Sequence, residues 1–230
     1  MIKKDDLRKV TLVSLFAVAM GLLEAAVVVY LRGLYYPSGF NFPITFFTGI
    51  LNVEWTREMA TIVMLVCIGL IAGKKFNEKM AYFFLGFAVW DIFYYVFLRI
   101  FLDWPASLMT WDILFLIPWP WASPLLAPII CSLTMILFAF ILIRSKDKKI
   151  NFKEWLLLSI GSLLILYTFM YNYGKLIISG GFFSDFFNLA TNQKFSEIIS
   201  AHIPVFYNWG MFLVGEICIL FAIVNFYSKQ

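Results

Sequence analysis

Six long apolar runs, joined alternately by longer loops and by short stretches rich in lysine and arginine, constrain this chain more than any motif in it. They lie near Val10–Leu31, Val53–Gly73, Met80–Leu102, Pro124–Ile143, Trp155–Ile178 and Pro204–Phe226. Each approaches the ~20 residues that a helix needs to cross a hydrocarbon core of ~30 Å. A bilayer offers no water to satisfy backbone N–H and C=O groups, so spanning segments are helices or closed barrels. With 62% apolar and 14% charged residues among 230, the composition lies outside the soluble range. The expected fold class is all-α, a polytopic membrane protein of six transmembrane helices arranged as three helical hairpins. One integral membrane domain accounts for residues 1–230, and no soluble catalytic domain fits beside it.

The second run is cleanly apolar only from Met59 to Gly73, about 22 Å at 1.5 Å per residue, which is too short to cross. Extending it back to Val53 makes Asn52 an N-cap and places Glu54 in the first turn, where the helix dipole favours an acid.

Orientation follows from the basic residues. Lys3, Lys4, Arg8 and Lys9 precede the first run; Lys74, Lys75 and Lys79 join the second to the third. Arg144, Lys146, Lys148, Lys149 and Lys153 join the fourth to the fifth, and Lys229 is near the end of the chain. Six spans put these 13 of the 18 basic residues on one side, which the positive-inside rule makes the cytoplasm, with both termini there. The expected location is the bacterial cytoplasmic (inner) membrane. The first run is too long for a secretory h-region and is expected to be retained. A net charge of +4 spread over short loops forms no basic face for nucleic acid. Cys67, Cys131 and Cys218 all fall within runs and are expected to be small buried hydrophobes rather than disulfide partners.

Three carboxylates interrupt the apolar runs: Glu24, Asp91 and Glu216. A charge at the bilayer centre costs on the order of 3 kcal/mol by insertion scales, so such groups face a protein interior or a wet cavity and mark ion or substrate paths. They are the candidates for titratable coupling groups. Arg32, Arg57 and Arg99 stand near outer helix ends, with Asp112 in an outer loop and Asn208 eight residues before Glu216. Arginine's planar fork suits carboxylate and phosphate groups. Together these five are the candidates for binding an anionic or zwitterionic small molecule or lipid, in a vestibule with cations at its mouth and acids at its floor. A weak repeat pairs Val29-Tyr30-Leu31-Arg32 with Val96-Phe97-Leu98-Arg99, setting Glu24 opposite Asp91.

The outer loops, about 33–52, 103–123 and 179–203, are longer than the basic ones, and Trp104, Trp111, Trp119 and Trp121 crowd the second. An interfacial aromatic belt is the ordinary reading of such tryptophans. The order Trp111-Asp112-Ile-Leu-Phe-Leu-Ile-Pro118-Trp-Pro120-Trp holds an apolar run too short to cross. It suits either a dip into the outer leaflet lining a cavity, or an interfacial helix stopped by proline. Together with Trp90-Asp91-Ile-Phe-Tyr-Tyr and Trp104-Pro105-Ala-Ser-Leu, this stretch resembles a block found in small uncharacterised bacterial integral membrane proteins. The resemblance covers residues 90–128 and implies a bacterial membrane setting, with no activity to carry over.

Catalytic signatures are scarce. His202 is the one histidine, which excludes bis-histidine haem and histidine-based zinc sites. Tyr36-Pro37-Ser38-Gly39-Phe40 has phenylalanine where a membrane-phosphatase signature needs histidine. Glu54-Trp-Thr-Arg57-Glu58 lacks the histidines that accompany the acid-rich helix of intramembrane proteases. Glu54, Glu58, Asp103 and Asp112 are the sole carboxylate set for a hard cation, and neither metal nor cofactor is expected. Three classes of function fit. A small transporter or permease explains intramembrane acids, a broken segment and outer arginines together. An accessory or assembly subunit would pair these groups with a membrane-protein partner or a second copy. An enzyme on a lipid-linked or phosphorylated substrate would use a carboxylate as general base beside arginines.

Overall fold

The computed structural model describes residues 3–44, 48–182 and 192–228; Lys229 lies outside them. Among the described residues, six helices are long and apolar enough to cross a membrane. They are α1 (Lys4–Tyr35), α2 (Thr48–Ala72), α3 (Phe76–Leu102), α4 (Leu126–Arg144), α5 (Phe152–Ser179) and α7 (Trp209–Ser228). Two elements were not foreseen: a hairpin of β1 (Trp111–Phe115) and β2 (Trp121–Pro124), and a short amphipathic helix α6 (Gln193–Ala201). The fold is helical with one small sheet, and the segment after α3 is neither an interfacial helix nor an irregular loop.

Within each apolar window only 22% to 39% of residues are buried in the protein, and side chains such as Leu23, Ile71 and Leu163 are more than half exposed. Such a surface requires hydrocarbon around it, so the chain is a multi-pass membrane protein.

Helix boundaries differ from expectation where capping chemistry was misread. The second helix already runs at Thr48, so Asn52 is inside it, its carbonyl accepting from Thr56 Oγ1 at 2.8 Å, and Glu54 is past the first turn. The last helix begins at Trp209 rather than Pro204 because Asn208 Oδ1 accepts the Met211 N–H at 3.0 Å, an N-cap. Residues 203–208 run non-helically into it.

Packing centres on α3, which holds α1, α2 and α4 against itself, while α5 pairs with α7. α1 leans chiefly on α3 and only lightly on α2, and α4 and α5 barely touch although a short loop joins them. Small residues permit the closest approaches. A Cβ on Gly161 would lie 2.6 Å from the Gly215 carbonyl oxygen, so α5 and α7 meet backbone to backbone. A Cβ on Gly21 would lie 3.0 Å from Trp90 O, bringing α1 equally close to α3.

The basic segments converge at one end of the bundle. Lys146 Nζ reaches Glu78 at 2.6 Å and also bonds Asp6. Asn77 Nδ2 donates to the carbonyls of Ser145 and Lys148, each at 2.8 Å, and Lys148 Nζ donates to Tyr227 O at 3.2 Å. Glu78 Oε2 accepts the Lys74 and Lys75 N–H groups at 2.9 and 3.1 Å, capping α3, and Glu154 caps α5 through Asn151 N at 2.7 Å. These groups join the start of α1, both connecting loops and the end of α7 into one polar layer.

Candidate functional site: a cavity under the β-hairpin

In the half of the bundle away from the basic layer, the hairpin descends between helices. Its strands pair antiparallel, Trp111 with Pro124, Asp112 with Ser123 and Ile113 with Ala122, and a bulge before the Phe115–Trp121 pair bends it. Phe115 rests on Trp90 and Phe87 of α3, centroids 6.1 and 6.5 Å apart. Phe87 is fifteen residues before the outer end of α3, about 22 Å at 1.5 Å per residue. The hairpin tip therefore reaches the middle of the bundle.

Backbone at that depth needs partners, and α2 supplies them. The Leu116 N–H donates to both oxygens of Glu58, at 3.0 and 2.9 Å, and Leu116 O accepts Trp55 Nε1 at 3.0 Å. Trp119 Nε1 donates to Met170 O at 3.2 Å. The crowded tryptophans are each half-buried against the protein. Trp104 stacks on Arg32, Trp111 meets Tyr207 edge-on, and Trp121 packs at a tilt on Phe115.

Beneath the hairpin lies a cavity of about 200 Å³. Its polar wall gathers Glu24 and Arg32 from α1, Glu54, Arg57, Glu58 and Thr61 from α2, Asp91, Tyr94 and Tyr95 from α3, and Asp112 from β1. On α2 the spacing 54, 57, 58, 61 forms one polar stripe along an otherwise apolar helix. Arg57 joins Glu24 and Glu54, the latter at 2.8 Å, and Thr61 Oγ1 donates to Glu24 at 3.4 Å. Asp91 accepts from Ser132 Oγ of α4 at 2.7 Å.

The second arginine is held differently. Arg32 is 7% exposed, its guanidinium carbon 3.7 Å from the Trp104 ring centre and 4.3 Å from that of Phe40. One terminal nitrogen pairs with Asp112 Oδ1 at 3.2 Å. The other, Nη1, is buried without a hydrogen-bond partner, while the Tyr95 hydroxyl and the Ile113 N–H lie beside the Asp112 carboxylate. Asp112 lies outside the six apolar helices, and burial pushes its carboxyl up to about 6 against the pull of Arg32. A buried polar atom left unpaired costs about 1–3 kcal/mol, so this pair carries polar capacity that the fold itself does not use.

Of the residues singled out from the sequence, Glu24, Asp91, Arg32, Arg57 and Asp112 meet in this cavity. The other three lie elsewhere. Arg99 pairs with Asp103 at 3.0 Å and donates to Pro105 O at 3.1 Å at the exposed end of α3. Asn208 caps α7. Glu216 accepts from Thr134 Oγ1 at 2.9 Å and lines a separate groove. The arrangement of cations at the mouth and acids at the floor is not what forms, because Arg57 sits among acids at depth. Among the described residues no group of three or more acidic, cysteine or histidine side chains is placed to hold a metal ion. Glu58, Tyr94 and Tyr95 were not recognised as cavity residues, nor Ser132 as the partner of Asp91. The polar stripe on α2 was the signal for the first.

Comparisons of the chain with protein-family models, with curated proteins and with solved structures give no match.

Proposed function

We propose that this protein is a small transporter of the bacterial inner membrane that takes a zwitterionic solute into the cavity from the outer face. The observation that carries this reading is the buried Arg32–Asp112 pair at the cavity wall, in which one guanidinium nitrogen has no hydrogen-bond partner. The anionic group of a zwitterionic solute suits that guanidinium, and its cationic group suits the acids of the same wall. A cavity of about 200 Å³ has room for a solute such as a small amino acid or betaine. Asp91, bonded only to a hydroxyl at the cavity wall, is the group for proton or cation coupling. The topology in this reading is six spans in three hairpins with both termini cytoplasmic, supported by the basic layer. The resemblance of residues 90–128 to bacterial membrane proteins supports the setting.

The test is uptake of radiolabelled alanine, glycine betaine and taurine into liposomes holding the purified full chain, with and without a proton gradient. Accumulation of one solute that Arg32→Gln abolishes is the expected result. Chemical conversion of the solute would instead make the cavity an enzyme site. Absence of binding, with co-purification of other membrane proteins in mild detergent, would leave the accessory-subunit reading.

A further inference from the structure

Two aspartates on the wall of the hairpin cavity come from different elements. Asp91 lies on α3, eleven residues before its outer end, about 16 Å at 1.5 Å per residue. Asp112 is the second residue of β1 and is 2% exposed. Tyr95 joins them: it follows Asp91 by about one helical turn, so the two share a face of α3, and its hydroxyl lies beside the Asp112 carboxylate. The charges of Asp91 and Asp112 are near enough to act on each other.

Cations do not match these acids in number. Arg32 pairs with Asp112 at 3.2 Å. Arg57, the other guanidinium of the wall, is taken by Glu24 of α1 and Glu54 of α2, while Glu58 is held by the hairpin's own N–H. Asp91 accepts from the Ser132 hydroxyl of α4. The other titratable groups that face the pair, Tyr94 of α3 and Cys131 of α4, bring no positive charge. One guanidinium against two buried carboxylates leaves a net negative charge where a charge is costly, and one proton cancels it. Asp112, outside the helices, is pushed up to about 6 by burial against the pull of Arg32, which gives that proton a place.

We propose that Asp91 and Asp112 form one protonation site, holding a single exchangeable proton between them with the help of the Tyr95 hydroxyl, and that this pair rather than Asp91 alone is the coupling group of the cavity. Its role in coupling rests on the transporter reading; the shared proton does not. Arg32 Nη1, buried without a partner, supplies the link. An anionic group of a solute arriving there draws the guanidinium's charge away from Asp112, so the pair holds its proton more firmly while solute is bound. Solute and proton then enter together.

The experiment is solid-state NMR of the full chain in liposomes, labelled at the side-chain carboxyl carbon of its seven aspartates and titrated from about pH 4 to 9. Asp91→Glu and Asp112→Glu keep a carboxyl at each place but remove its labelled signal, which assigns the two. In the wild type both signals move through the same two steps, set more than about one pH unit apart, because interacting sites titrate as a pair. The wild-type curves alone decide between paired and separate titration. Tyr95→Phe, which takes a hydroxyl from beside Asp112, moves both signals. Two independent single-step curves, a Tyr95→Phe shift confined to Asp112, or no bound proton on either group in this range would each overturn the proposal. Liposome uptake reads out separately: a chain with the paired titration and no transport keeps the proton site and loses the transporter reading, and one that transports with independent curves does the reverse.

Discussion

The two ends of the bundle both hold ion pairs, and they use them in opposite ways. At the basic end Glu78 caps a helix with one oxygen and meets Lys146 with the other, so that its charge is consumed by the fold. Under the hairpin, Arg32 and Asp112 are as deeply buried, yet Arg32 keeps a nitrogen without a partner. Saturated pairs serve architecture, whereas a buried pair with spare capacity is costly to the fold.

The largest expected effect tests the costly end. Arg32→Gln removes the partner of a buried carboxylate and the group stacked between Phe40 and Trp104, and should destabilise the protein by about 3–5 kcal/mol in denaturant unfolding from mild detergent. A loss below about 1 kcal/mol would mean that Arg32 is not integral to the hairpin end.

Lys146→Ala strands Asp6 and Glu78 instead. Both are under 6% exposed, but they lie where the helices end and water is near, so about 1–3 kcal/mol is expected. A cost equal to that of Arg32→Gln would erase the contrast between the ends.

The pH dependence sharpens it. The folded Asp112 carboxyl sits at about 6 against an ordinary 3.8, so the folded protein binds this proton more tightly than the unfolded chain. The resulting stabilisation is fully present below the ordinary value and is lost as pH rises through about 6. Thermal unfolding between about pH 4 and 7.5 should show that slope in the wild type and its loss in Asp112→Asn. A slope unchanged in the variant would assign it to another group.

The smallest effect belongs to the exposed pair of Lys75 and Asp147, whose side chains are 55% and 81% exposed. Lys75→Ala should change stability by no more than about 0.5 kcal/mol. A larger loss would show that this loop is more tightly knit than its exposure suggests.

Much of the frame was legible because membrane helices announce themselves by length and polarity: all six spans were located, with ends displaced by a few residues where Asn208 and residues before Asn52 decided the boundary. Glu24 and Asp91 were legible as misplaced charges, and Arg32, Arg57 and Asp112 as binding candidates at the outer ends and loops. The hairpin was not, since Ile113–Ile117 reads equally as strand or helix, and its pairing depends on Glu58 and Trp55, more than fifty residues earlier. Nor was the separation of Glu216 from the other acids, which follows from α7 choosing α5 as its neighbour rather than α1 or α3.

The double acceptance of the Leu116 N–H by Glu58 has a mechanical consequence. The hairpin tip is riveted to α2, while Trp119 and β2 lean on α5. With so little contact between α4 and α5, the hairpin acts as a strut between two blocks, α1 to α4 and α5 with α7. A small tilt of the α5–α7 block about its contact with α4 would be delivered through that strut to Glu58, turning relative rotation of the blocks into a change of width beneath the hairpin.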